Sequence, residues 1–376
     1  MTWTFSRLLS RPFRLLIVPV CLLVVLGALT GCARLRRSTT AAIQPPAPTA
    51  TASNGGTGSG RRTSGVITYE IQPTATAPGL SGPDDPDFVA INNRVPANGE
   101  LFLFLPGTGG QPDCCQYQLE MAAQAGFMAV GLTYDNTEAV GKICEDNQVS
   151  YTDMRDDDFD GSNPSTPRSH ADITPANSIQ SRLVDLLRYL AAQHPSQGWL
   201  RFLVGSTPLW STIVVAGHSQ GGGDAAYIAK VRQVEGVVML SSDVDSTATY
   251  PPVAATYLTT GHLTQLDRYV GFDHTRDPFN DKIEADWTAL DLQSFGPAVS
   301  VDGNPPPFGN SHELLTSTQV PPGPAPALAT HDSTAVDSQT PLCSNGSPAF
   351  VPVWRYMMQV AGGLPVTSGL GLCAAG

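Results

Sequence analysis

The pentapeptide Gly217-His218-Ser219-Gln220-Gly221 is the part of this chain best suited to chemistry. It follows the apolar run Thr212-Ile213-Val214-Val215-Ala216 and precedes a helix-like stretch over residues 222–231. Glycines two residues before and after a serine, between a strand and a helix, describe a sharp turn that strains the serine backbone. Only glycine fits at the flanks, where a Cβ would clash. The turn lifts the hydroxyl clear of the sheet, at the positive end of the following helix. That is the setting of a nucleophile. A serine hydroxyl attacks poorly at neutral pH, so it needs a base within hydrogen-bond reach, itself oriented by an acid. Acyl transfer further needs donors aimed at the developing oxyanion. The backbone N–H of Gln220, the residue after the serine, is placed to be one.

The elements that must position these groups follow from periodicity. Leu101–Leu105 is wholly apolar and reads as a buried strand ending in Pro106-Gly107-Thr108-Gly109-Gly110. A helix-like stretch covers Gln116–Gln124, and a second strand residues 127–133. Residues 178–193 carry Ile179, Leu183, Leu186, Leu187 and Leu190 at helical spacing, with Ser178 as N-cap. The strand before Ser219, its helix and a strand over residues 234–240 come next. Strand and helix alternate, which predicts an α/β fold: a mostly parallel central sheet with helices on both faces. Right-handed crossovers then gather the strand C-termini, and the loops after them, along one edge.

From about residue 95 to 362, this order and the strings LPGTGG, AGHSQGGG, YVGFDHTRDPF, GNSHELLT and PVWRYM resemble the α/β-hydrolase superfamily, within it a bacterial subgroup. The resemblance implies a triad in chain order Ser, Asp or Glu, His. The base is then one of His262, His274, His312 and His331. His312 lies in a turn after a possible strand over residues 298–301, the slot of the superfamily's catalytic histidine. His331 sits in a Pro/Ala/Thr-rich segment with no strand ahead of it, so His312 is the expected base. Asp277, after a strand through Tyr269 and Val270, is the expected acid. Its surroundings resemble the superfamily's G-x-x-D turn, with His274 where glycine usually stands. Asp273, Asp243 and Asp245 are its rivals, and Asp277 also suits a helix N-cap before Pro278. The loop after Leu105 resembles the HG-x-G oxyanion loop with proline for histidine, making Thr108 the second donor and Gly109 the alternative. The implied activity is carboxylic ester hydrolysis through an acyl-enzyme, with Ser219 as nucleophile and neither cofactor nor metal. A peptidase or acyltransferase shares that triad, and a non-catalytic binding protein on the same scaffold is the rival from another class.

Asp156-Asp157-Asp158-Phe159-Asp160-Gly161 begins like a calcium loop, but Pro164 and Pro167 stand at its ninth and twelfth positions. A solvated acidic loop within a long connection over residues 135–177 is expected instead. At the other extreme of the chain, Arg7, Arg11 and Arg14 precede an apolar stretch over residues 15–29, which reads as an export signal. The stretch falls short of the roughly 20 residues a membrane span needs. Leu29-Thr30-Gly31-Cys32 resembles the bacterial lipobox, which implies a signal over residues 1–31 and lipidation of Cys32. Ala33 in place of an inner-membrane-retention Asp points to the outer membrane or cell surface; ordinary secretion is the alternative. Residues 32–65, rich in Ala, Thr, Pro, Gly and Ser, form a tether to a domain over residues 66–376.

Without the three signal arginines the chain carries 18 basic against 33 acidic residues, a net charge of −15. Nucleic acids and anionic lipid surfaces are therefore poor partners, and a small-molecule or lipid ester is the expected ligand. An exported chain permits disulfides. Cys343 and Cys373 are expected to clamp the C-terminus, and Cys144 to pair with Cys114 or Cys115.

Overall fold

The computed structural model describes residues 65–144, 147–162, 173–323 and 325–373. Contacts divide the chain into Met1–Thr49 and Ala50–Gly376. The first unit lies outside the described residues, as do the expected export signal, Cys32 and the expected tether up to residue 64.

Apolar runs with few polar interruptions become strands buried on both faces. Nine strands form one sheet: β1 Val66–Ile71, β2 Asp87–Asn92, β3 Leu101–Leu105, β4 Met128–Gly131, β5 Ile213–His218, β6 Gly236–Leu240, β7 Tyr269–His274, β8 Val299–Ser300 and β9 Glu313–Thr316. Their order is β1-β2-β4-β3-β5-β6-β7-β9-β8. All neighbours run parallel except β1 with β2 and β2 with β4. The expected α/β class, a mostly parallel sheet wrapped by helices, is what the chain adopts.

Strand alternation divides the core into two layers. Leu101, Leu103 and Leu105 face one layer with Ile213 and Val215; Phe102 and Phe104 face the other with Val214 and Ala216. The first layer is covered by α2 (Gln148–Asp160), α3 (Ile179–Gln193), α4 (Gln220–Val231) and α5 (Asn280–Ala289). On the second lie α1 (Gln116–Gln124) and α6 (Val351–Ala361). Ser178 caps α3 as expected, its Oγ accepting the Ser181 N–H at 3.3 Å.

Two expectations need correcting. The acidic run from Asp156 to Asp160 is no loop: it closes α2, with Asp157 and Asp158 buried and Asp156 accepting the Tyr227 hydroxyl at 2.8 Å. The Cys144 pairing also fails. Cys144 is buried in the first layer and Cys115 in the second, so the sheet lies between them. Instead the sulfurs of the adjacent Cys114 and Cys115 face each other. Cys343 and Cys373 are bridged, with Cα atoms 5.7 Å apart.

Candidate active site

β5 ends at His218 and α4 begins at Gln220, leaving Ser219 alone at the turn with φ 52° and ψ −120°. This left-handed conformation costs a non-glycine residue about 1–3 kcal/mol and persists only where its surroundings hold it. They do so from several sides. Ser219 N–H donates to Leu240 O at 3.0 Å, and Ser219 O accepts Gly222 N–H at 3.0 Å and Ser242 Oγ at 2.9 Å. The flanking glycines are required by close approach: a Cβ on Gly217 would strike the Gly221 carbonyl, and one on Gly221 the Leu105 carbonyl.

Asp277 follows β7, in a turn closed by its own N–H to His274 O at 2.7 Å. Its Oδ1 accepts the Phe279 N–H at 2.7 Å, and its Oδ2 lies 2.7 Å from His331 Nδ1. Burial drives this carboxyl upward. The hydrogen bond and charge interaction with His331, with hydrogen bonds from Asp273 and Phe279, outweigh burial and hold it below its ordinary value. An ionised carboxylate accepts only, so His331 carries its proton on Nδ1 and presents Nε2 as the basic nitrogen.

His331 lies in the four-residue helix Ala329–Asp332, which lies against β7 but is not the continuation of a strand among the described residues. Hydrogen bonds hold the segment instead. Thr330 Oγ1 donates to Arg276 O at 2.9 Å, and Thr334 O, three residues after His331, accepts Gln118 Nε2 and Trp354 Nε1. The His331 ring lies against that of His218, centroids 4.9 Å apart, and so beside the residue that precedes Ser219.

His312, the expected base, stands elsewhere. It precedes β9, three strands from β5, roughly 14 Å across the sheet. By register, the row of His218 runs through Leu240 and Phe272 to Leu314, so His312 sits back from the C-terminal edge that bears Ser219. Its Nδ1–H donates to Tyr269 O at 2.7 Å and its ring stacks on Phe295 at 4.5 Å. The physical reason for the correction is the ELLT run after His312, which is itself a strand and puts the histidine at the strand's start. That signal was readable in the sequence. Nothing comparable pointed to His331.

The rival acids are engaged elsewhere. Asp245 meets Arg155 with two contacts of 2.8 Å, and Asp243 Oδ2 lies 2.6 Å from the Tyr257 hydroxyl. Asp273 accepts Ser241 Oγ and Asn280 Nδ2, both at 3.0 Å. Burial, then the charge of Asp277, pushes Asp273 well above the usual carboxyl range, so it is a neutral acid that hydrogen-bonds to Asp277. Of the other histidines, His274 ties Thr318 O to Arg276 N, and His262 pairs with the Tyr269 hydroxyl.

The glycine-rich loop after β3 faces the elbow, with Thr108 Oγ1 donating to Gln220 Oε1 at 2.8 Å. Gly109 N–H, the expected alternative to Thr108, donates to Asn136 O at 2.8 Å. Asn136 Nδ2 in turn donates to Gly107 O at 2.6 Å and Gly110 O at 2.9 Å, fixing the loop's shape. Sequence reasoning did not single out Asn136, because its role depends on a contact across the sheet edge.

Among the described residues His218, His331 and Asp332 offer donor atoms within 4.8 Å of one another, the types that divalent metals take. His218 Nε2, however, faces the His331 carbonyl oxygen at 3.2 Å. A carbonyl only accepts, so that nitrogen carries hydrogen and has no lone pair for a metal. In comparison with known proteins, the chain matches no family model and no curated relative.

Proposed function

We propose that this chain is an exported, lipid-anchored serine hydrolase of the α/β-hydrolase type, acting on carboxylic esters. The observation that carries the reading is the 2.7 Å bond between Asp277 and His331, whose ring lies 4.9 Å from that of His218, the chain neighbour of a serine held at φ 52° between strand and helix. Ser219 Oγ attacks the ester carbonyl while His331 Nε2 takes its proton, and Asp277 stabilises the imidazolium through Nδ1–H. The tetrahedral oxyanion is met by the N–H groups of Gln220 and Thr108. His331 then protonates the leaving alkoxide as the carbon–oxygen bond breaks, giving the acyl-enzyme. Water, deprotonated by His331, attacks that acyl group and releases the acid and free Ser219.

A fluorophosphonate probe should label the soluble domain from residue 66 onward, and Ser219→Ala should abolish both labelling and turnover of short p-nitrophenyl esters. Wild-type protein that neither labels nor turns over esters would favour a binding protein on a hydrolase scaffold. Anchoring rests on the Leu29-Thr30-Gly31-Cys32 string. Palmitate should enter the wild type and not Cys32→Ser, whose precursor stays unprocessed; soluble, unlabelled wild type would mean ordinary secretion.

A further inference from the structure

His218 occupies the position between the first glycine and the serine that the G-x-S-x-G pattern leaves open to any residue. Here it is buried, 4 % exposed, and touches three parts of the site at once. It is bonded in the chain to Ser219. Its Nδ1 edge lies under the oxyanion loop, where a Cβ on Gly107 would come within 2.8 Å of it. On the other edge, Nε2 reaches the His331 carbonyl at 3.2 Å and stands 3.9 Å from Asp332 Oδ1.

The His331 segment needs such a support. A four-residue helix is too short to hold itself, and no strand among the described residues leads directly into it. Asp277 fixes the rotation of the His331 ring through Nδ1, but leaves the backbone height of the segment above the elbow open. Thr330 ties the segment to Arg276, on the acid's turn, and Thr334 ties it to α1 and α6. The bond from His218 is the one of these that runs to the nucleophile's own turn.

We propose that His218 is a positioning residue, a strut whose Nε2–H donates to the His331 backbone carbonyl and thereby sets the separation of nucleophile and base. This rests on the hydrolase reading of the site. The titratable groups facing the ring are His331, Asp332 and, beyond His331, Asp277. Burial, reinforced by His331, pushes His218 down to about 3, so the ring stays neutral and the bond keeps one geometry across the working pH range. A 1 Å error in the placement of reacting groups costs on the order of 100-fold in rate, so a strut of this kind acts on kcat rather than on substrate binding.

The test compares His218→Phe, which keeps the ring and loses the donor, with His218→Gln, whose amide nitrogen reaches about as far as Nε2. Expected are a kcat lowered roughly 10- to 100-fold with KM nearly unchanged in His218→Phe, and recovery of most of that loss in His218→Gln. Melting temperatures accompany both, so a folding defect is read separately. Histidine-selective ¹⁵N NMR decides the geometry independently of turnover. Wild type should show His218 as the neutral Nε2–H tautomer from about pH 5 to 9, and His218→Phe should shift the His331 Nδ1–H resonance. A His218 in the Nδ1–H tautomer, or one whose signals move on stoichiometric addition of Zn²⁺, would overturn the strut. So would a His218→Phe variant with normal kcat and an unmoved His331 signal. Were the wild type inert to the fluorophosphonate probe, the hydrolase reading would fall while the NMR arm still decided the strut.

Discussion

At the residue scale, the proposed acid and base are distinguished by what each carboxyl and imidazole touches. Asp277 is ionised and bonded to His331, Asp273 behind it is a protonated carboxyl, and His312 is tied to Tyr269 O on the far part of the sheet. Neutralising the orienting carboxylate should therefore lower kcat by several orders of magnitude, roughly 10⁴ for Asp277→Asn, with little change in KM. His331→Ala should do comparable damage, whereas His312→Ala should leave turnover near normal. Asp273→Asn replaces one neutral hydrogen-bonding group with another and should keep turnover within about tenfold of wild type. Steady-state kinetics with a melting temperature for each variant checks the set. A dead, folded His312→Ala beside an active His331→Ala would reverse the assignment of the base.

The element that orients the helix after Ser219 is α2, within the long connection over residues 135–177. Its Arg155, 1 % exposed, reaches Asp245 after β6, Asp224 on α4 at 2.9 Å and Gln220 O at 2.8 Å. Burial works against the charged guanidinium, but Asp245 and Asp224 more than offset it and hold it charged well above its usual range. Tyr257 completes the cluster by joining Asp243 to Asp245. Removing one partner of a buried, hydrogen-bonded charge pair leaves the other uncompensated and costs about 3–5 kcal/mol. Asp245→Ala should lose stability on that scale in urea unfolding, and activity only as the folded fraction falls. A loss under about 1 kcal/mol would show that α2 is not held to the elbow by this pair.

For the whole molecule, the buried carboxyls set how stability depends on pH. Burial pushes Asp87 up to about 8 although its Oδ1 accepts the Thr133 N–H, and burial does the same to Asp337 beside the Tyr117 N–H. Each folded value lies above the unfolded carboxyl value of about 4. Between about pH 4 and 8 the folded state thus keeps protons that the unfolded chain has released, and stability falls as pH rises through that window. Asp277 and the buried histidines work in the opposite sense. The depressed value of Asp277 contributes stability that is lost as pH falls through about 4. Burial pushes His218 down to about 3 and His262 to about 4, so stability is also lost as pH falls below the unfolded histidine value of about 6.5. The melting temperature should therefore be higher near about pH 7, above the unfolded histidine value, than near about pH 8.5, and Asp87→Asn should flatten the slope. A melting temperature that rises over this range would contradict the assignment. No helix among the described residues is long and apolar enough to cross a membrane.

What the sequence determined by itself is what local rules govern. Leu101–Leu105 had to be a buried strand because every position is apolar, and α3 began at its Ser178 cap because the N-cap and the helical period agree. The elbow was legible because its glycines are demanded by contacts within a few residues, and its serine followed. Strands β1 and β2 escaped notice, as did α2, whose run of aspartates reads as solvated until Arg155 and Tyr227 are seen against it. The tertiary structure decided the partners. Whether His312 or His331 meets Asp277 depends on which loop crosses the sheet edge, 54 residues beyond the acid in the case of His331. The sheet also separates Cys144 from Cys115, though the two lie only 29 residues apart in the chain. Periodicity acts over a turn or a strand, whereas such contacts are set by the packing of layers, which no local pattern of residues encodes.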